Sequence, residues 1–132
     1  MNMKKMIETI EATKMTEEEL SIVHLHQKLV KLYSQKNVAH YTELLKYILS
    51  LSVQLKLHLV LKYFGVRPVV TADERMQFQE MFKCLAKKDD NGEWFLNFVS
   101  LYVGLIVVLH FDEKEMERSF FDERVVDEGN EI

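Results

Sequence analysis

The most apolar part of the chain is Trp94–Phe111, eighteen residues without a formal charge, in which Asn97, Ser100, Tyr102 and His110 bring polar atoms. A helix apolar on every side has to be enclosed, by protein or by lipid. At about 1.5 Å per residue it would be roughly 27 Å long, close to the thickness of a bilayer core. Asn97 and His110 sit badly in hydrocarbon, and no basic cluster flanks the run. The rest of the chain offers amphipathic segments whose apolar stripes need a partner. The pattern therefore predicts a central helix inside a bundle, with no stable membrane span.

Those amphipathic segments can be placed in order. Met3, Met6, Ile7 and Ile10 lie three or four apart and fit a short helix or a docked arm. Thr16-Glu17-Glu18-Glu19 reads as a capping box, in which a hydroxyl accepts an amide proton while Glu19 reaches back. Ile22, Leu25, Leu29, Leu32 and Tyr33 follow at helical spacing, and Asn37 is expected to end that helix.

The segment His40–Phe64 carries two periods at once. Leucine or valine at every second position from Leu49 to Leu61 is the strand signal. The length, the leucine content and the spacing of Leu44, Leu45 and Ile48 favour one long helix. Read so, Leu45, Leu49, Val53, Leu57 and Leu61 share a face. Gly65 ends it, and Val66-Arg67-Pro68 is an extended link, because the residue before proline avoids the helical region. Thr71-Ala72-Asp73-Glu74 is a second capping box, followed by Phe78, Met81, Phe82 and Leu85 on one helical face. Lys83, Lys87 and Lys88 crowd its end, where cations favour the dipole. Asp89-Asp90-Asn91-Gly92 is a turn, with Asp90 and Glu93 as caps for the central helix. Asp112 and Glu115 open one more helix with Met116, Phe120 and Phe121.

Composition narrows the reading. The 132 residues make one domain, 1–126, followed by a frayed acidic tail, 127–132. Four Gly and one Pro leave little turn material, so the fold class is all-α, a helical bundle with a buried central apolar helix. The net charge of −4 argues against nucleic acid as a partner. From Asp112 onward nine acids face three bases, a balance of −6, which leaves +2 for the remainder. The lone Cys84 allows no internal disulfide and fits a reducing compartment, and Met1–Lys14 has no run of signal-peptide length.

Catalytic chemistry is hard to find. There is no Gly-rich phosphate loop. His24, His26, His40, His58 and His110 are scattered, and none lies four residues from another. A metal site or a nucleophile built on Cys84 is weighed against a small core thiol, which the sequence favours. No cofactor and no enzymatic activity are expected. Seven Met and eight Phe suit either a filled core or a hydrophobic groove for a partner's helix.

One stretch, Arg75–Leu109, resembles the Bcl-2 family of apoptosis regulators, among them the short viral homologues. Glu80-Met81-Phe82 leads through Lys88-Asp89-Asp90-Asn91-Gly92 to Trp94, and Gly104 lies ten residues beyond. Aligned on Trp94, the family's Asn, Gly and Arg fall on Glu93, Phe95 and Leu96, and no tail anchor follows Phe121. The resemblance implies an inhibitor of apoptosis, cytoplasmic (the host's cytoplasm if viral) or peripheral at mitochondria. It would sequester the amphipathic death-motif helix of a pro-apoptotic protein. The implied groove has Val53, Leu57 and Leu61 on one wall, Phe78, Met81, Phe82 and Leu85 on the other, and Trp94 with Phe98 at its floor. With Leu96 at the Arg position, Lys87 or Lys88 is the candidate cation. The competing reading is a self-associating helical protein, a homodimer through the same apolar face, with no apoptotic role.

Overall fold

A computed structural model describes residues 2–13, 20–88 and 91–121. Over these the chain forms seven helices and no strand, and their apolar faces meet in one core. The Thr16–Glu19 box, Asp89, Asp90 and the tail 127–132 lie outside the described residues.

The first helix, α1 (Met3–Ala12), buries the expected Met3, Met6, Ile7 and Ile10. α2 (Ile22–Ser34) starts later than Thr16, with Ser21 accepting from the His24 amide as its cap. Its entry is pinned to α3 (Val38–Gln54), since Gln54 bonds both backbone groups of Leu20 and the Tyr47 phenol meets both of Ser21. Asn37 does not end α2. Its carboxamide oxygen accepts from the His40 amide and so opens α3.

The single helix expected over His40–Phe64 is two helices, α3 and α4 (His58–Phe64), bent by 111°. The cause is a left-handed Lys56 at φ 62°. The Leu57 amide then bonds the Ser52 carbonyl at 2.8 Å and the Lys56 amide bonds Val53 at 3.0 Å, the paired bonds of a Schellman stop. Leu57 and Leu61 therefore leave the face that Leu45, Leu49 and Val53 share. α4 packs on α1, and Gly65 ends it as expected.

A strap, residues 65–72, leads to α5 (Glu74–Ala86), whose cap is Asp73 rather than Thr71. The strap is held by Gln77, which is fully buried. Gln77 Nε2 donates to the carbonyls of Val69 (2.7 Å) and Leu101 (2.8 Å). Its Oε1 accepts from the Thr71 amide at 2.8 Å and lies 2.9 Å from the Thr71 hydroxyl. Both amide protons and the oxygen of the carboxamide are thus bonded, the Thr71 hydroxyl dividing its one proton between Gln77 and the Asp73 carbonyl at 3.0 Å. The strap passes so close to α6 (Glu93–Val108) that a Cβ on Gly104 would stand 2.1 Å from the Val69 carbonyl oxygen.

α6 is the central helix, but it is shorter than the apolar run. It stops at Val108 with a second Schellman turn, His110 at φ 58° and the Phe111 amide on Ile106. Its opening residue is Gly92, with no side-chain cap, while Asn91 accepts from the Glu93 amide. Asn97 is exposed, so the helix is enclosed on most sides rather than all. Nor is it alone in the interior. α3 buries Tyr41, Leu44, Leu45, Ile48, Leu49 and Leu51, and Tyr41 and Tyr102 join the two helices at the centre. Burial pushes both phenols well above their ordinary pKa. α7 (Glu113–Phe121) closes the bundle against α3, with Met116 and Phe120 inward. Among the described residues no single helix is long and apolar enough to cross a membrane.

Candidate functional site

The side chains of the expected groove divide into two groups. Leu61, Phe78, Met81, Leu85, Trp94 and Phe98 are buried and serve the core. Val53, Leu57 and Phe82 are half-buried. Leu61 belongs to α4 beside α1, and Leu57 tucks against the start of α6, where a Cβ on Gly92 would approach its Cδ1 to 3.1 Å. The wall built from Val53, Leu57 and Leu61 depended on one straight helix, and the break at Lys56 disperses it.

Of the other wall, Phe78 and Phe82 border a groove, with α2 as its companion, while Met81 and Leu85 do not line it. Val30 and Tyr33 of α2 face Arg75, Phe78, Gln79, Phe82, Lys83 and Ala86 of α5 around about 630 Å³. Its floor is aromatic. The Tyr33 ring meets Phe78 edge-on at 4.8 Å, and His26 lies 5.0 Å from Phe82 at one end. Lys36 stands 4.5 Å over the Tyr33 ring and pairs with Glu74, which fixes the ring from its outer side. The lining is largely apolar, and Arg75 and Lys83 are its cations, Lys83 being paired with Glu80 at 3.2 Å.

The sequence carried a weak sign of this companion wall. Ile22, Leu25, Leu29, Leu32 and Tyr33 form the expected stripe, so Val23 and Val30 are surplus apolar residues off that face, with Tyr33 at the edge nearest them. Arg75 stands at the start of α5 and Lys83 near its end, as the single-helix spacing requires for one open side. Lys87 does not reach this groove. It borders a smaller hollow of about 260 Å³ with Glu80, Lys83, Cys84, Glu93, Trp94 and Asn97.

Cys84 in that hollow is half-buried. Burial raises its thiol pKa, Glu80 raises it further, and Lys87 offsets part of the rise. A thiol held protonated is a poor nucleophile at neutral pH. Among the described residues no group of three or more His, Cys, Asp or Glu stands close enough to hold a metal ion. Compared with family models, with curated proteins and with solved structures, the chain matches none of them.

Proposed function

We propose that this protein is a binding module that takes the apolar stripe of a partner's amphipathic helix into the groove between α2 and α5. On the resemblance of Arg75–Leu109 to the Bcl-2 family, the ligand is the death-motif helix of a pro-apoptotic protein, and the outcome is inhibition of apoptosis. The observation that supports the reading is the groove itself. It is long enough to run from Arg75 to Ala86 along α5, it is lined by Val30, Tyr33, Phe78 and Phe82, and it has cations at its edge. A helix docks in such a groove through residues three and four apart, while its acidic side chains meet the basic rim.

The order of elements in the bundle, with α5 leading into the Trp94 helix, supports that reading. Leu96 remains unable to hold a ligand carboxylate, and Arg75 takes that role here in place of Lys87 or Lys88, with Lys83 beside it in its pair with Glu80.

Calorimetric titration with a labelled death-motif peptide tests the proposal. Tyr33→Ala and Phe82→Ala should each weaken binding by roughly tenfold, as truncation of a buried anchor does. Undiminished affinity in both folded variants would reject this groove. Reversing the charge of the peptide's acids should also weaken binding, and more so at low salt.

A further inference from the structure

α2 and α5 run antiparallel along their groove, and three contacts cross it in reverse order. His26 meets Phe82 at one end, Tyr33 meets Phe78 toward the other, and beyond Tyr33 the Lys36 ammonium pairs with the Glu74 carboxylate. Among the described residues this is the only ion pair that joins the α2 side of the groove to α5. Lys36 is placed from both sides. It lies in the link 35–37, where the Gln35 amide bonds the Lys31 carbonyl to finish α2 and the Asn37 carboxamide accepts from His40 to open α3. A three-residue link tied at both ends leaves its backbone little freedom.

The Lys36 side chain covers Tyr33 on its way to Glu74, with Nζ 4.5 Å from the ring centroid. Tyr33 is 41% exposed, and the edge of Phe78 at 4.8 Å is the ring contact on its inner side. Lys36 therefore supplies the outer hold on a wall that solvent would otherwise leave loose. The charges divide accordingly. Glu74 is taken by Lys36 and Lys83 by Glu80, which leaves Arg75 as the groove's cation without an ion pair among the described residues. Without Lys36 a bare carboxylate would stand one residue from Arg75, where an acidic ligand has to dock, and like charges at an interface oppose binding.

We infer that Lys36 is the positioning residue of the α2–α5 groove: it holds Tyr33 edge-on to Phe78 as a wall and masks Glu74 from the acids of the bound helix. This rests on the groove being the binding site proposed above. An exposed ion pair adds little to stability by itself. Here the pair selects one placement for a side chain that already lies on an aromatic face, so two weak contacts act on one geometry. Arginine can make both contacts, because its guanidinium pairs with carboxylates and stacks on rings. Alanine can make neither.

Two readouts separate this inference from the reading beneath it. Without any ligand, nuclear Overhauser contacts between the Tyr33 and Phe78 rings should be strong in the native chain and in Lys36→Arg, and several-fold weaker in Lys36→Ala. Salt at about 0.5 M should weaken them in the native chain too, so a misfolded variant does not close the test. With the labelled death-motif peptide, Lys36→Ala should bind about fivefold more weakly and Lys36→Arg as the native chain does. Adding Glu74→Gln to Lys36→Ala should recover part of that loss. A ring contact that persists in Lys36→Ala overturns the inference, as does peptide affinity in Lys36→Ala equal to the native. If the native chain itself binds no peptide, the groove reading falls, and the ring contacts alone then uphold or overturn the hold on Tyr33.

Discussion

Tyr41 and Tyr102 exchange hydrogen bonds. The Tyr41 phenol donates to the Tyr102 carbonyl at 2.9 Å, and the Tyr102 phenol donates to the Tyr41 carbonyl at 2.7 Å. Their rings lie almost parallel, 7° apart in plane with centroids 4.5 Å apart. Each phenol thus finds its acceptor on the helix opposite, which lets two polar groups sit in the dry centre of the bundle. Removing one hydroxyl by Tyr41→Phe or Tyr102→Phe should cost about 1 kcal/mol in denaturant unfolding. The double variant should fall short of the sum, because the two contacts share one geometry.

The same pair sets an alkaline limit. Both phenols are neutral in the fold and their pKa values are raised by burial, so the unfolded chain loses these protons first. Stability is then complete below the unfolded tyrosine pKa of about 10 and declines as pH rises beyond it. Two such protons give a slope of roughly 2.7 kcal/mol per pH unit above that point. Unfolding followed by circular dichroism should show the decline in the native protein and a flatter one in the doubly substituted Phe variant.

Gln77 and Gly104 fix the strap. Gly104→Ala places a methyl against a backbone oxygen that cannot rotate away. The expected loss is about 2 kcal/mol in spite of the better helix propensity of alanine. Gln77→Glu keeps the shape but offers the Val69 and Leu101 carbonyls no proton once ionised. It should destabilise at neutral pH and recover part of the loss in acid, when the carboxyl can donate again. Thermal melts across pH separate it from Gln77→Leu, which should show no such recovery.

Lys56 and His110 occupy the left-handed position that closes a Schellman turn, where a side chain costs about 1–2 kcal/mol. Lys56→Gly and His110→Gly should each stabilise the fold by about 0.5–1 kcal/mol, after the greater freedom of glycine in the unfolded chain is offset. The sites lie at the ends of different helices, so their effects on the urea midpoint should add.

Cys84 should react slowly with iodoacetamide at neutral pH compared with a free thiol, since burial and Glu80 hold its proton in place. Glu80→Gln should quicken alkylation and Lys87→Gln should slow it. A rate insensitive to both would mean that accessibility alone governs the thiol.

Much of the architecture was legible because it rests on periodicity. The 3.6-residue spacing of Met3 to Ile10, of Leu25 to Leu32 and of Phe78 to Leu85 placed α1, α2 and α5 on their correct faces. The apolar run from Trp94 located the central helix. The break at Lys56 was not legible, because a lysine in the left-handed region carries none of the marks of glycine or proline. That one residue also decided the groove, since it removes Leu57 and Leu61 from the wall assigned to them. Asn37 suits the end of one helix as well as the start of the next, and spacing alone does not tell that it opens α3. Gln77 could not be found from spacing, because its four partners come from the strap and α6, remote from its own stripe. Val30 stands off the stripe of α2 and Tyr33 falls within it, and the meaning of both depends on which helix lies opposite.

The strap also makes the pairing of two helices observable. The Val69 amide donates to the Ser100 carbonyl of α6 at 3.0 Å, and the Thr71 amide donates to the Gln77 carboxamide of α5 at 2.8 Å, while Gln77 itself reaches the Leu101 carbonyl of α6. The amide protons of Val69 and Thr71 are therefore sentinels of that pairing, and their deuterium uptake reports when the hairpin parts even while both helices remain wound.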